Sequence, residues 1–416
     1  MAHSMMPSWQ TEIDQAIDDL FPQMVALRRH LHAHPEPSGE ELQTSLSLYQ
    51  RASERGLRVR MGPEGRGVIV DGREDGRRIA LRADIDALRI SDQKQVDYRS
   101  QTAGIMHACG HDAHAAVVFG AMVCLDEVYA AGKLPWPVAW RAIFQPSEET
   151  ATGAQEMVTA GVLDGVDAIL SVHVDPTRRT GTIGVRPGVF TANCDAMRIT
   201  VQGRGGHAAR PHESIDPIAA SAQLISTLYQ FIPRATDSQD AVVITIGQIQ
   251  GGENPNVIPE KVTLQGTFRT LDRTVRARTM QHIDTLAAGI EQVSGTKIEL
   301  RFETSIPSVF NDERMTTLVT RVAEDVVGSA GLKLLPRPSM GSEDFAVYLE
   351  HVPGTMFRLG CAADEKPAPG LHTPLFDVDE TCLAVGAKIL ARSVVEWSNP
   401  EAAFKPTPFT TASQVK

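Results

Sequence analysis

The stretch His107-Ala-Cys109-Gly-His111-Asp112-Ala-His114 gathers a thiol, three imidazoles and a carboxylate within about two helical turns. Each of these groups binds a transition metal or orients one that does. Three further stretches bring groups of the same kind: Gln145-Pro-Ser-Glu148-Glu149, Ser171-Val-His173-Val and Leu371-His372-Thr-Pro. Each follows an apolar run, and together they predict one metal-hydrolase site assembled from four segments. A thiolate with imidazoles selects a borderline-soft ion such as zinc; added carboxylates admit manganese, cobalt or nickel. Cys109 stands just ahead of a predicted helix, whose N-terminal field should lower its pKa and favour the thiolate.

The adjacent Glu148–Glu149 pair suits hydrolysis. One carboxylate can hold a metal. The other can take a proton from a water that the cation acidifies, then return it to the leaving amine. Asp84 and Asp86 are candidates for ligands or for orienting His111, and Asp112 and His114 either support that histidine or face outward on its helix. His30, His32 and His34 precede Pro35, where capping of a helix end by histidine accounts for them. Farther on, Gly203-Arg-Gly-Gly-His207 offers a donor for a developing oxyanion, Asn256 an amide in a turn-rich loop, and Arg269 a planar fork for a carboxylate.

Positioning these groups requires strands that end together. Arg78–Asp84, 138–144 and 166–172 read as strands, and 111–131 and 153–163 as helices. In an open α/β sheet ligands gather at the carboxyl ends of strands, so a mostly parallel sheet is expected. Ile13, Ile17, Leu20, Met24, Leu27 and Leu31 recur at helical spacing, with Pro22 as a candidate kink. Ser38-Gly-Glu-Glu41 reads as a capping box opening a second helix. After Gly188 the order becomes β-α-β-β-α-β, with strands at 197–201, 241–247, 262–269 and 297–302 and helices at 218–232 and 274–293; this is the ferredoxin-like pattern. The chain then returns to a helix (312–328), a strand (356–359) and a long helix (379–397). The expected organisation is a catalytic domain in two parts, 1–188 and 303–400, an inserted domain, 189–302, and a tail, 401–416, without periodic order. Within the insert, the strand 242–246 reads as a sheet edge and Ala219, Ala220 and Ala222 as a close-packing helix face. Both suit a two-fold contact with a second copy.

Bulk properties narrow the classes. The chain has 416 residues and a net charge of −11, which argues against nucleic acid or an anionic membrane as partner. No membrane span or secretory leader is evident. Five scattered cysteines argue against a disulfide framework and for a reducing cytoplasm.

These motifs resemble the aminoacylase-type dinuclear metallohydrolases, in the subgroup of hippurate hydrolase, N-acyl-amino-acid amidohydrolases and indole-acetyl-amino-acid hydrolases. The resemblance runs from about Leu27 to Trp397. It is carried by Leu81-Arg-Ala-Asp-Ile-Asp-Ala-Leu88, Met106–His114, Phe144–Glu149, Gly205-Gly-His207 with Arg210-Pro-His212, Asn256-Val-Ile-Pro259, Gly266-Thr-Phe-Arg269, Gly341-Ser-Glu-Asp-Phe345 and Leu371-His-Thr-Pro374. It implies two divalent metal ions held by Cys109, His111, Glu149, His173 and His372, with Glu148 as general base. It implies a homodimer whose inserted lid domain sends His207 into the partner's site, and a substrate carboxylate gripped by Asn256 and Arg269. Two departures stand out: Ser147 where the family has Ala, and Arg89 where it has Pro. Relatives outside the subgroup carry a metal-binding His at the position of Asp84. The activity implied is hydrolysis of N-acyl amino acids (acetyl, benzoyl or similar) to carboxylate and free amino acid. The alternatives are a metallo-dipeptidase or carboxypeptidase of the same family, or a non-catalytic metal- or amino-acid-binding homologue. The presence of Glu148 argues against the last, and no acidic anchor for a substrate amine stands out.

Overall fold

The computed structural model describes residues 8–73, 76–363 and 369–401. The tail read as lacking order therefore lies, apart from Glu401, outside the described residues. The chain forms two compact units. Among the described residues, the first lies within 1–188, 310–336 and 344–416, and the second within 189–309 and 337–343.

The first unit is built on an eight-stranded sheet. Its order is Arg58–Met61, Val68–Asp71, Ala139–Gln145, Arg78–Asp84, Val166–Arg179, Gly354–Ala362, Ile183–Val185, Leu332–Leu334. The four central strands run parallel, while the two-strand margin at Arg58–Asp71 is antiparallel. Arg78–Asp84 is buried on both faces after its first residue, although its sequence alternates polar and apolar. Arg82 is the reason: a fully buried guanidinium that bonds Asp84, Gln145 and Asp344. The strand beginning at Val166 does not end before His173 but continues to Arg179, so His173 sits inside it, opposite Arg358.

The helix Trp9–Ala33 buries the six predicted apolar residues and runs through Pro22. It packs on the helix His111–Ala130, and Gly120 permits the approach: a Cβ there would lie 2.5 Å from Met24 Sδ. In His111–Ala130 every residue as far as Leu125 is buried, so its apolar residues are not confined to one face. By length and composition it could cross a membrane, contrary to the expectation that no such run exists, but 78% of its apolar window is buried within the unit. It is the core helix, lying between the helices Trp9–Ala33 and Thr381–Trp397 and the sheet.

The predicted capping box at Ser38–Glu41 does not form. The helix Leu42–Ser53 starts without a side-chain bond from its own cap residue. Its first amides, at Gln43 and Thr44, donate to the Glu36 carboxylate. Ser38 and Glu41 are bonded elsewhere, to Asp86 and to the backbone of Ser147. The helix after the carboxylate pair is also shorter than predicted, Gly153–Thr159.

The second unit carries a four-stranded antiparallel sheet in the order Val242–Gln250, Lys261–Thr270, Asn193–Gln202, Lys297–Ile306. The helices Pro217–Ala235 and Arg273–Ser294 cover one face, where Met197, Ile199, Val201, Val262, Leu264 and Phe268 meet Leu224, Leu228, Ile232 and Ile283. Asp216 and Asp272 cap these helices, each accepting two backbone N–H bonds. This is the ferredoxin-like arrangement. Val242–Gln250 is an edge strand. On the first helix Ala219 and Ala222 are exposed, but Ala220 turns into the core.

Gly110 joins Cys109 to the core helix with φ +86°, and a Cβ there would lie 2.4 Å from Val174 Cγ2. Gly110→Ala should therefore destabilise the fold by about 1–3 kcal/mol, from the clash and the left-handed backbone together. Urea denaturation measures this; an unchanged midpoint and slope would contradict it.

Candidate metal centre

Cys109, His111, Glu148, Glu149, His173 and His372 all belong to the first unit and come together. The ligand atoms of Cys109, His111 and His173 lie within 4.8 Å of one another, as do those of Cys109, Glu149 and His372 and those of His111, Glu148 and Glu149. Cys109 Sγ is 3.6 Å from His173 Nε2. His372 Nε2 is 3.3 Å from Glu149 Oε1, and His111 Nε2 lies 3.9 Å from each of Glu148 and Glu149. His372 is held by its N–H bond to the Ala108 carbonyl, 2.7 Å, in a left-handed backbone at φ +60°.

Hydrogen bonds assign the imidazole tautomers. His111 Nδ1 faces the Asp86 carboxylate at 3.0 Å and the Asp86 carbonyl at 2.9 Å, so Nδ1 carries a proton. Its Nε2 is buried and has no hydrogen-bond partner among the described residues. His173 Nδ1 donates to the Val174 carbonyl, which turns its Nε2 to Cys109. His114 differs, because Nε2 accepts the Val174 N–H and Nδ1 donates to Asp84 at 2.6 Å. Both its nitrogens are engaged, so it supports the site without facing into it. Asp84 is likewise taken up by His114 and Arg82. Both Asp112 and His114 are fully buried, which removes the alternative of an outward face.

Electrostatics favour a cation here. Burial opposes charge on His111, yet Asp84, Cys109 and Asp86 outweigh it and hold the imidazole well above its ordinary value. Burial drives His173 the other way, well below. The expected low pKa of Cys109 is not found: burial pushes the thiol up to about 12, because desolvation outweighs the field of the helix that begins two residues on. The carboxylates that hold His111 up would attract a divalent cation among these atoms. The soft thiol, neutral imidazoles and carboxylates form a donor set for zinc or its neighbours.

Sequence reasoning missed a second polar layer behind this cluster. Arg28 donates to Asp112 at 2.9 Å and bonds Asp377 and Glu380. His32 bonds Asp112 and Asp92, so it is no helix cap; His34 alone closes the helix, on the His30 carbonyl. Lys94 donates to the Phe376 carbonyl. This layer ties the segment carrying Cys109 and His111 to the one carrying His372. Its signal was present: Met24, Arg28 and His32 lie four residues apart on the buried helix face.

His207, Asn256 and Arg269 belong to the second unit. The short strand Gly206–His207 pairs with Val257–Ile258, and Ala208 N–H bonds the Asn256 carbonyl, so His207 and Asn256 are neighbours. His207 is exposed, and its Nδ1 accepts the Ala209 N–H, which leaves the proton on Nε2. Arg269 pairs with Cys194, whereas Lys261 pairs with Gln202 next to the His207 loop. At about 3.3 Å per residue, Arg269 lies roughly 26 Å along the sheet from that end.

A thiol–imidazole–carboxylate cluster on a mostly parallel sheet is a donor set that could hold a metal ion, and comparison with known proteins gives its family. The model of peptidase family M20/M25/M40 matches residues 80–396. N-acetyl-L-cysteine deacetylase of Bacillus subtilis is 37% identical over 382 residues, covering 91% of this chain and 88% of that protein. Thermostable carboxypeptidase 1 of Saccharolobus solfataricus is 33% identical over 386 residues, covering 90% and 95%. The crystal structure of YxeP from Bacillus subtilis, described as a dinuclear metal binding peptidase of the M20 family, superposes with a TM-score of 0.77 at 34% identity, covering 91% and 98%. The chain belongs to peptidase family M20/M25/M40, and it is an amide-bond hydrolase.

Proposed function

We propose that the protein is a dinuclear metal-dependent amidohydrolase that cleaves N-acyl amino acids to a carboxylate and the free amino acid. The observation that carries this reading is the cluster of Cys109, His111, Glu149, His173 and His372 around the buried His111 Nε2, which has no hydrogen-bond partner among the described residues. In this reading these five residues hold two divalent cations. When bound, the cations polarise the amide carbonyl and acidify a water. Glu148 takes the water's proton and passes it to the departing nitrogen. Asp86 fixes the tautomer of His111, and Glu149 remains a ligand. The deacetylase relative supports an N-acyl substrate. The carboxypeptidase relative keeps a second reading in view, cleavage of a peptide beside its C-terminal residue.

His207, with its proton on Nε2, is suited to donate to an oxyanion, and Asn256 and Arg269 to bind a substrate carboxylate. Their separation within one unit supports a homodimer in which one site receives His207 and Asn256 from one chain and Arg269 from the other. The edge strand Val242–Gln250, with Val243 and Ile249 exposed, and the helix bearing exposed Ile218, Tyr229 and Phe231 offer a self-complementary face.

A panel of N-acetyl, N-benzoyl and N-indoleacetyl amino acids, including N-acetyl-L-cysteine, set beside free-amine dipeptides, tests the substrate class by release of amino acid. Cleavage confined to dipeptides would contradict it. On the best substrate Glu148→Gln should keep its metal and lose turnover by about 10²–10⁴, while Glu149→Gln should lose metal; the reverse pattern would exchange the two roles.

Mixing His207→Ala with Glu148→Gln protein and allowing subunit exchange should restore part of the activity that each lacks alone. No recovery after proven exchange would place His207 in its own chain's chemistry or outside the reaction.

A further inference from the structure

Glu148 and Glu149 follow a residue in an unfavourable backbone state. Ser147 has φ +55° and is almost fully buried. A left-handed conformation costs a residue with a side chain roughly 1–2 kcal/mol, and it persists only where surrounding contacts enforce it. Those contacts come from a segment distant in sequence. The Ser147 N–H donates to Glu41 Oε1 at 2.8 Å, and its hydroxyl lies 3.3 Å from the same oxygen. Arg66 Nη1 donates to that hydroxyl at 3.3 Å. Glu41 is itself buried, and Gly39, at φ +85°, turns its own N–H onto Glu41 Oε1 at 3.0 Å.

The same segment holds the other half of the pair. Ser38 Oγ donates to Asp86 Oδ2 at 2.7 Å, and that oxygen also accepts the Glu149 N–H at 3.0 Å. The other Asp86 oxygen faces His111 Nδ1. The segment is docked beside Asp86 by the bond from Ala87 N–H to the Glu36 carbonyl, 2.8 Å. Residues 38–41 thus reach both sides of the carboxylate pair: Glu41 through Ser147 on one, Ser38 through Asp86 on the other.

We infer that Ser38 and Glu41 are positioning residues for the reaction, setting the backbone from which Glu148 and Glu149 project. This rests on the reading of Glu148 as the proton carrier. Misplacement of a reacting group by about 1 Å costs as much as a hundredfold in rate, so loss of the Glu41 contact should act on turnover.

Glu41→Ala, Glu41→Gln and Ser38→Ala in the metal-replete protein, with Ser147→Gly as a second background, test the inference on the panel amide that the wild type cleaves fastest. Glu41→Ala should lower kcat by about ten- to a hundredfold with KM changed far less. Glu41→Gln keeps an oxygen for the Ser147 N–H and should recover most of that loss. Ser147→Gly removes the backbone cost, so Glu41→Ala should lose less in that background than in the wild type, a coupling read by a double-mutant cycle. Independently of substrate, hydrogen exchange of the peptide containing Ser147–Glu149 should accelerate in Glu41→Ala while that of the helix His111–Ala130 stays unchanged. Wild-type kcat and exchange in a folded Glu41→Ala protein would overturn the inference. So would a glutamine variant no better than alanine. If Glu41→Ala does not fold, Ser38→Ala decides: it should lower kcat and loosen the same peptide, and wild-type behaviour in both would overturn the proposal. Full activity of Glu148→Gln, with exchange still accelerated in Glu41→Ala, would instead remove the role given to Glu148 and leave the positioning intact.

Discussion

The Asp86 carboxylate is the contact on which the rest of the site depends. It is almost wholly buried and accepts from three separate parts of the chain: the His111 imidazole, the Glu149 backbone and the Ser38 hydroxyl. Burying a carboxylate is costly unless its oxygens are bonded, and here those bonds fix the relation between an imidazole and the carboxylate pair. One oxygen determines which nitrogen of His111 faces inward. The other sets the height of the loop that carries Glu148 and Glu149. Burial works against the charge on Asp86, but the bonds from His111 and Ser38 more than compensate and hold its pKa below the ordinary value.

A second constraint is charge. Asp84, Asp86, Glu148, Glu149 and the Cys109 thiol crowd a space in which Arg82 is already committed to Asp84 and Asp344. Burial pushes the thiol up to about 12, and the neighbouring carboxylates hold the His111 imidazole well above its ordinary value. Carboxylates gathered beside a thiol and imidazoles are suited to bind a cation from outside. The layer of Arg28, His32, Asp92, Lys94 and Asp112 adds stiffness rather than charge, since its members neutralise one another while tying together the segments that hold Cys109, His111 and His372.

Much of this was legible in the sequence, for reasons that differ by residue. The mostly parallel sheet and the β-α-β-β-α-β block could be read because their strands and helices carry strong periodicity. Cys109, His111 and the Glu148–Glu149 pair could be singled out because their side chains are uncommon in apolar surroundings. What escaped the reading depends on tertiary contact. Ser38-Gly-Glu-Glu41 has the local grammar of a capping box, but Asp86 and Ser147 compete successfully for its side chains. The thiol pKa expected from a helix terminus was reversed by burial, which no local pattern reports. His32 looked like a helix cap because its partners, Asp92 and Asp112, are distant in sequence. Ser147 carries no sign in its identity that its backbone is left-handed.

The central claim is that Cys109, His111, Glu149, His173 and His372 bind metal as one cluster. Diffraction from crystals of the metal-replete protein, recorded on both sides of the absorption edge of the bound element, tests it most directly. The account predicts two anomalous peaks per chain, one or both within bonding distance of Cys109 Sγ and His111 Nε2, with Glu148 bonded to neither. Anomalous density elsewhere in the chain, with these five side chains unligated in a protein of proven activity, would contradict it.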